Sequence, residues 1–190
     1  AADLVLRHDG TVKVYEILGA LPRAFVVHKI RRTLNDSSAL AILRTEGAFD
    51  PRTEAIWIGE DRPPPVSEPV EPDSVRTLRY DFNTVEYMVR TAAPGLLLTV
   101  EQYDPDWTVT IDGTKAEIHR VNYLMRGVAL PAGVHRVKFV YEPRALQAGI
   151  RISVASAAVT LLLGLAGFLL ALRRRRAGAV PTSVPGNEAP

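Results

Sequence analysis

From Ile152 to Leu172 the chain runs for 21 residues without a charged side chain. As a helix rising 1.5 Å per residue this run is about 31 Å long, close to the roughly 30 Å hydrocarbon core of a bilayer. Eleven of its residues are Leu, Ile, Val or Phe. On an insertion scale of about −0.3 to −0.6 kcal/mol each, they outweigh Ser153, Ser156, Thr160 and two glycines. The pattern predicts a transmembrane helix over residues 150–172.

Charge orients that helix. Arg173, Arg174, Arg175 and Arg176 follow it directly, and positive charge gathers on the side that is not translocated. The expectation is a cytoplasmic tail over residues 173–190, without apolar period and disordered, and an extracytoplasmic body before the helix. Residues 1–149 carry 18 Lys plus Arg and 20 Asp plus Glu. The body is therefore slightly acidic, and the overall +2 comes from the arginine cluster. A nucleic-acid binder would show a basic face on its folded part, so nucleic acid is excluded as a partner. Within the apolar run Ser156, Thr160 and Gly164 recur every four residues, and small residues at that spacing form a face for packing against other membrane helices.

The body reads as strands. Leu4 to Leu6 and Val12 to Ile17 flank Asp9-Gly10, a hairpin turn, and Ala24 to Ile30 gives a further strand. Ser37 to Thr45 is the one soluble helix, capped by Asn35, Asp36 or Ser37. Ala55 to Ile58 is a short strand. Residues 61–74 hold five prolines and four acids and form a linker or long loop. Beyond it the alternation is cleaner. Leu78, Tyr80 and Phe82 share a face; so do Val85, Tyr87 and Val89, then Leu96, Leu98 and Val100 opposite Thr99 and Glu101. Trp107, Val109 and Ile111 lead into Asp112-Gly113, and Val137, Phe139 and Tyr141 close the series. Half-buried antiparallel strands produce this pattern. The expected fold class is mainly β, an antiparallel β-sandwich or jelly-roll-like body with one short helix, plus one C-terminal transmembrane helix. Its parts are a strand-rich region with one helix over 1–60, the linker over 61–74, the antiparallel part over 75–143, the helix and the tail. Cysteine is absent, so neither disulfides nor thiolate chemistry contribute.

One ordered series of motifs carries more than periodicity. It comprises Tyr103-Asp-Pro-Asp-Trp107, Ile111-Asp-Gly113, Asn122-Tyr-Leu-Met-Arg-Gly-Val128, Leu130-Pro-Ala-Gly133, His135 and Val140-Tyr-Glu-Pro143, running straight into the apolar helix. With Tyr15-Glu16 and Leu21-Pro-Arg-Ala-Phe25, the series resembles the C-terminal region of the YfhO-type bacterial membrane proteins. These are polytopic proteins of the lipid-linked-sugar, GT-C-like glycosyltransferase type. The resemblance implies an outward-facing β-rich domain followed by a late membrane helix in a bacterial cell membrane. It also implies catalytic acids in early extracytoplasmic loops, outside this chain. Asp106 stands where the family pattern usually has Gly, which suggests a left-handed turn position and argues against a metal-binding Asp104-x-Asp106 pair.

No catalytic signature accompanies these motifs. His8, His28, His119 and His135 show no zinc-protease spacing, and there is no nucleophile elbow or glycine-rich phosphate loop. The expectation is no catalytic residue, no metal and no cofactor. Trp57, Tyr103, Trp107 and Tyr123 are the candidates for aromatic contact with carbohydrate, an envelope glycan or lipid-linked sugar; large half-core residues are the alternative. Two functions compete. One is a non-catalytic extracytoplasmic domain and late helix of a polytopic protein serving cell-envelope glycosylation, with the lipid bilayer and that protein's other membrane helices as partners. The other is a complete single-pass surface-anchored binding or structural module, since Ala1-Ala2-Asp3 would suit a signal-peptide cleavage site.

Overall fold

The computed structural model describes residues 4–45 and 47–177. The chain divides into two units, residues 1–142 and residues 143–190. The first is built almost entirely of strands. β1 (Leu4–Asp9) and β2 (Lys13–Ile17) pair as an antiparallel hairpin. β3 (Ala24–Val27) and β4 (Lys29–Thr33) follow, then helix α1 (Asp36–Arg44) and β5 (Glu54–Ile58). After the proline-rich stretch come β6 (Ser74–Tyr80), β7 (Thr84–Thr91), β8 (Gly95–Gln102), β9 (Trp107–Ile111), β10 (Thr114–Ala116), β11 (His119–Val121), β12 (Met125–Leu130) and β13 (Gly133–Tyr141).

A five-stranded sheet has the order β10-β9-β13-β7-β6, and a six-stranded sheet the order β3-β8-β12-β11-β5-β4. All pairings are antiparallel except β4 with β5. That parallel pair needs a crossover, which α1 supplies. The strands before the linker thus join the same sheet as strands after it. The expected strand over Ala24 to Ile30 is two strands: β3 pairs with β8, and β4 pairs with β5. They part at His28, whose ring reaches Asp73 at 2.8 Å and the Pro94 carbonyl at 3.2 Å. α1 is capped as expected, with the Asn35 side chain accepting from the Ser38 amide at 2.9 Å.

Inward residues of the two sheets share one apolar cluster. Val85, Tyr87, Val89, Val109, Val137 and Phe139 come from the five-stranded sheet, and Ala24, Leu97, Val128 and Leu130 from the six-stranded one. A second cluster lies on the other face of the six-stranded sheet: Val27, Ala55, Trp57, Leu96, Leu98 and Val121. The alternation read from the sequence holds, but the face that carries Thr99 and Glu101 is the one between the sheets. Leu97, Thr99 and Glu101 lie on the face between the sheets, whereas Leu96 and Leu98 face the opposite way and Val100 is exposed. Turn geometry follows the motifs. Asp112 and Gly113 hold φ of 51° and 84° between β9 and β10, the type I′ geometry that Asp-Gly suits. Asp106 is not at positive φ; among the described residues the left-handed non-glycine positions are Asp112, Asn122 and Tyr123. The turn at Asp106 is instead held by the Asp104 carboxylate, which accepts from the Asp106 amide at 2.8 Å.

The second unit contains α2 (Arg144–Ala177). Over Arg144–Arg174 it is long and apolar enough to cross a membrane. Residues 178–190, most of the expected tail, lie outside the described residues.

Candidate functional site

β12 places its side chains alternately on the two faces of the six-stranded sheet. Val128 and Leu130 enter the core between the sheets, and by the same parity so does Arg126. A guanidinium at a core position must find partners or carry a heavy desolvation cost. Arg126 is 2% exposed, and its Nη2 donates to the Glu101 carboxylate. Its guanidinium carbon lies 4.2 Å from the centre of the Trp107 ring and 5.2 Å from that of Phe139. Both rings come from the opposite sheet, so the cation binds the two layers together through cation–π contact.

Glu101 is the hub of a short polar chain. Its second carboxylate oxygen accepts from the Tyr80 hydroxyl at 2.7 Å, and that hydroxyl accepts from Arg23 Nη1 at 2.9 Å. The bond to Glu101 holds the Tyr80 phenol above its ordinary range, and burial does the same to Tyr87. Burial draws the Arg126 guanidinium below its usual value, with the Glu101 charge opposing. Tyr80, Glu101 and Arg126 line a cleft of about 200 Å³ together with Asp81, Phe82, Val85, Gln102 and Trp107. Phe82 at its mouth is fully exposed.

Satisfaction of hydrogen bonds is incomplete in this region. Arg126 Nε and Nη1, the Tyr87 hydroxyl and the Thr99 hydroxyl are buried without a partner among the described residues. Thr99 pairs with Arg126 across β8 and β12, and Tyr87 faces them from β7. Most buried polar groups in native proteins are paired, so four unpaired atoms in one place mark it out.

The aromatic candidates do not line this cleft together. Trp107, half-buried at the start of β9, is the only one on its wall. Trp57 is 4% exposed on β5, its ring 4.4 Å from that of His119, which burial holds below the ordinary imidazole range. Tyr103 and Tyr123 lie in neighbouring turns, the Tyr103 amide donating to the Leu124 carbonyl at 2.6 Å. In the sequence Arg126 stands out only as a member of the Asn122–Val128 motif. Its parity with Val128 and Leu130 was the available signal, a charge at a core position.

On α2 the hydroxyls of Ser156 and Thr160 donate to the carbonyls of Ile152 and Ser156, each at 2.9 Å. With Gly164 they form an exposed face free of unmet hydroxyls. Arg173 and Arg174 extend the helix; Arg175 and Arg176 continue its backbone, and nothing of their side chains is described. Among the described residues no three His, Asp or Glu side chains converge as metal ligands would.

Two β layers joined through a buried cation, with an apolar helix long enough to span a bilayer, define a membrane protein carrying a folded β body. Residues 68–153 match the family described as bacterial membrane protein YfhO, so this part of the chain is similar to that family. The matched segment takes in β6 through β13 and the first turns of α2. No curated protein and no solved structure matches the chain.

Proposed function

We propose that this chain is the non-catalytic extracytoplasmic β domain and a late membrane helix of a polytopic, YfhO-type glycosyltransferase-like protein serving cell-envelope glycosylation. The observation that carries the reading is the family match over residues 68–153, which covers β6 through β13 and ends where the apolar run of α2 begins. The four arginines after Leu172 favour a cytoplasmic C-terminus, which puts the body outside. Ser156, Thr160 and Gly164 offer the face on which α2 meets other membrane helices. Trp57, Tyr103, Trp107 and Tyr123 are the aromatic groups offered to carbohydrate, with Trp107 the best placed because it borders a cleft.

Protease added to intact spheroplasts should digest the body and spare an epitope fused after Pro190. Protection of the body with loss of the epitope overturns the orientation. The purified chain should show no glycosyl transfer or hydrolysis, and turnover abolished by changing one of its carboxylates overturns the non-catalytic role.

A further inference from the structure

We propose that the Arg126 cleft is a binding site for an oxyanion, a phosphate or carboxylate group entering between the ends of the two sheets. The inference goes beyond the glycosylation reading and stands on the buried polar groups alone. Of the five N–H bonds of a guanidinium, those on Nε and Nη1 find no acceptor among the described residues. The hydroxyls of Tyr87 and Thr99 beside them are also unpaired. All these groups can donate, and the one carboxylate within reach is already shared between Arg126 and Tyr80. What the place lacks is an acceptor with several lone pairs.

A neutral polyol fits less well, because each hydroxyl it brings needs an acceptor as well as a donor. The two carboxylates on the cleft are each paired, Asp81 with Arg79 and Glu101 with Arg126 and Tyr80. The cleft is open to solvent through Tyr80 and Phe82, and its volume of about 200 Å³ admits a phosphate or carboxylate with a small substituent. Arg126 is held against the Trp107 and Phe139 rings of the opposite sheet, so the donor is fixed before the ligand arrives. Glu101 then acts as the internal competitor that an incoming anion must displace or sit beside.

The test uses the whole chain in a neutral maltoside detergent. Trp57→Phe leaves Trp107 as the single emitter, and the Nε–H resonance of Arg126, assigned by its loss in Arg126→Lys, gives a second readout in the unsubstituted chain. Inorganic phosphate should shift both signals saturably. Glu101→Gln removes the competing carboxylate and should tighten the apparent Kd about tenfold, as expected for a like charge removed at close range. Arg126→Gln should abolish the response while near-ultraviolet circular dichroism reports an intact fold. Nanodiscs of phosphatidylglycerol and of a neutral glycosyl diacylglycerol separate the sources. A response to phosphatidylglycerol but not to free phosphate assigns a lipid headgroup, and a response to both assigns the oxyanion itself. A response to the glycolipid alone, or weaker binding in Glu101→Gln, overturns the proposal in favour of a polyol. Silence of both signals in the wild-type and Glu101→Gln chains also overturns it, leaving buried water as the partner of Arg126.

Discussion

In β13 the buried Val137 and Phe139 alternate with exposed Arg136 and Lys138, whereas in β8 Leu96, Leu97 and Leu98 are all fully buried. The five-stranded sheet presents its outward face to solvent through charged residues, and the six-stranded sheet has an apolar cluster on each face. The outward charges of the first are paired locally: Arg136 donates to Glu86 across β13 and β7 and holds its carboxyl below the usual range. The second has α1 packed against β4 and β5, with Ala39 buried. One sheet needs a single apolar face, and the other needs two. The apolar surface each buried Leu removes from water is worth about 1.5–3 kcal/mol, so the second cluster is a major part of what holds the first unit together.

The largest expected effect tests that difference directly. Leu97→Ala and Leu98→Ala empty opposite faces of one strand, and each should cost about 2–5 kcal/mol, the range for buried leucines. In the five-stranded sheet, Phe139→Ala should cost about 3–5 kcal/mol, while Lys138→Ala, one residue away, should stay within about 0.5 kcal/mol. Denaturant titrations of the four variants give the comparison. A Leu98→Ala cost near that of Lys138→Ala would mean that the outer cluster is not a core at all.

The same contrast explains what the sequence revealed. Period-two alternation is visible where one face is wet, so β7, β9 and β13 were readable from Val85-Tyr87-Val89, Trp107-Val109-Ile111 and Val137-Phe139-Tyr141. In β8 three consecutive leucines hide which face meets the other sheet, and Thr99 and Glu101 look like the solvent face because they are polar. They face the core because Arg126 is there to meet Glu101, a long-range pairing that no local window contains. β10 and β11 are three residues each, too short to show a period, and they exist because β9 and β12 supply their partners. The parallel pairing of β4 with β5 likewise depends on a crossover rather than on composition. The apolar helix was fully legible, since its length and purity need no partner to be recognised. The cleft was the hardest part to see. Its residues come from β6, β7, β8, β9 and β12, and only the fold brings them together.

A smaller effect is expected where the two sheets meet at the cleft. Trp107 packs against the inter-sheet cluster, covers Arg126 and lies 5.2 Å from the Tyr141 ring. Trp107→Ala should cost roughly 3 kcal/mol, the lower end for large aromatics because the ring is half-buried. Trp107→Phe should recover most of that by keeping a ring over the guanidinium. Thermal melts of the pair decide, and a melting temperature unchanged by Trp107→Ala would show that the ring is a surface group with no share in joining the sheets.

The smallest effect concerns the outer face of the six-stranded sheet, where His119 covers Trp57. Burial lowers the folded-state pKa of His119, and the nearby charges of Glu117 and Asp61 oppose the shift without cancelling it. Because the folded pKa lies below the unfolded value of 6.5, the unfolded chain takes up the proton first as pH falls. The stability that neutral His119 allows is therefore complete above about pH 6.5 and declines as pH drops through the interval down to the folded pKa. The carboxyls of Glu86 and Asp112 are held below their ordinary values, by Arg136 and by His135 respectively, so they act only at lower pH, below about 4.5. The two windows separate in melts taken from pH 7.5 to pH 3. His119→Phe keeps a ring on Trp57 and removes this titration, so its stability should fall less steeply than that of the wild type between pH 7.5 and 5.5. The acid-side loss below pH 4.5 should persist in both. Parallel curves across the upper window would mean that His119 is hydrated rather than buried, and that the outer face of the six-stranded sheet is wetter than the face between the sheets.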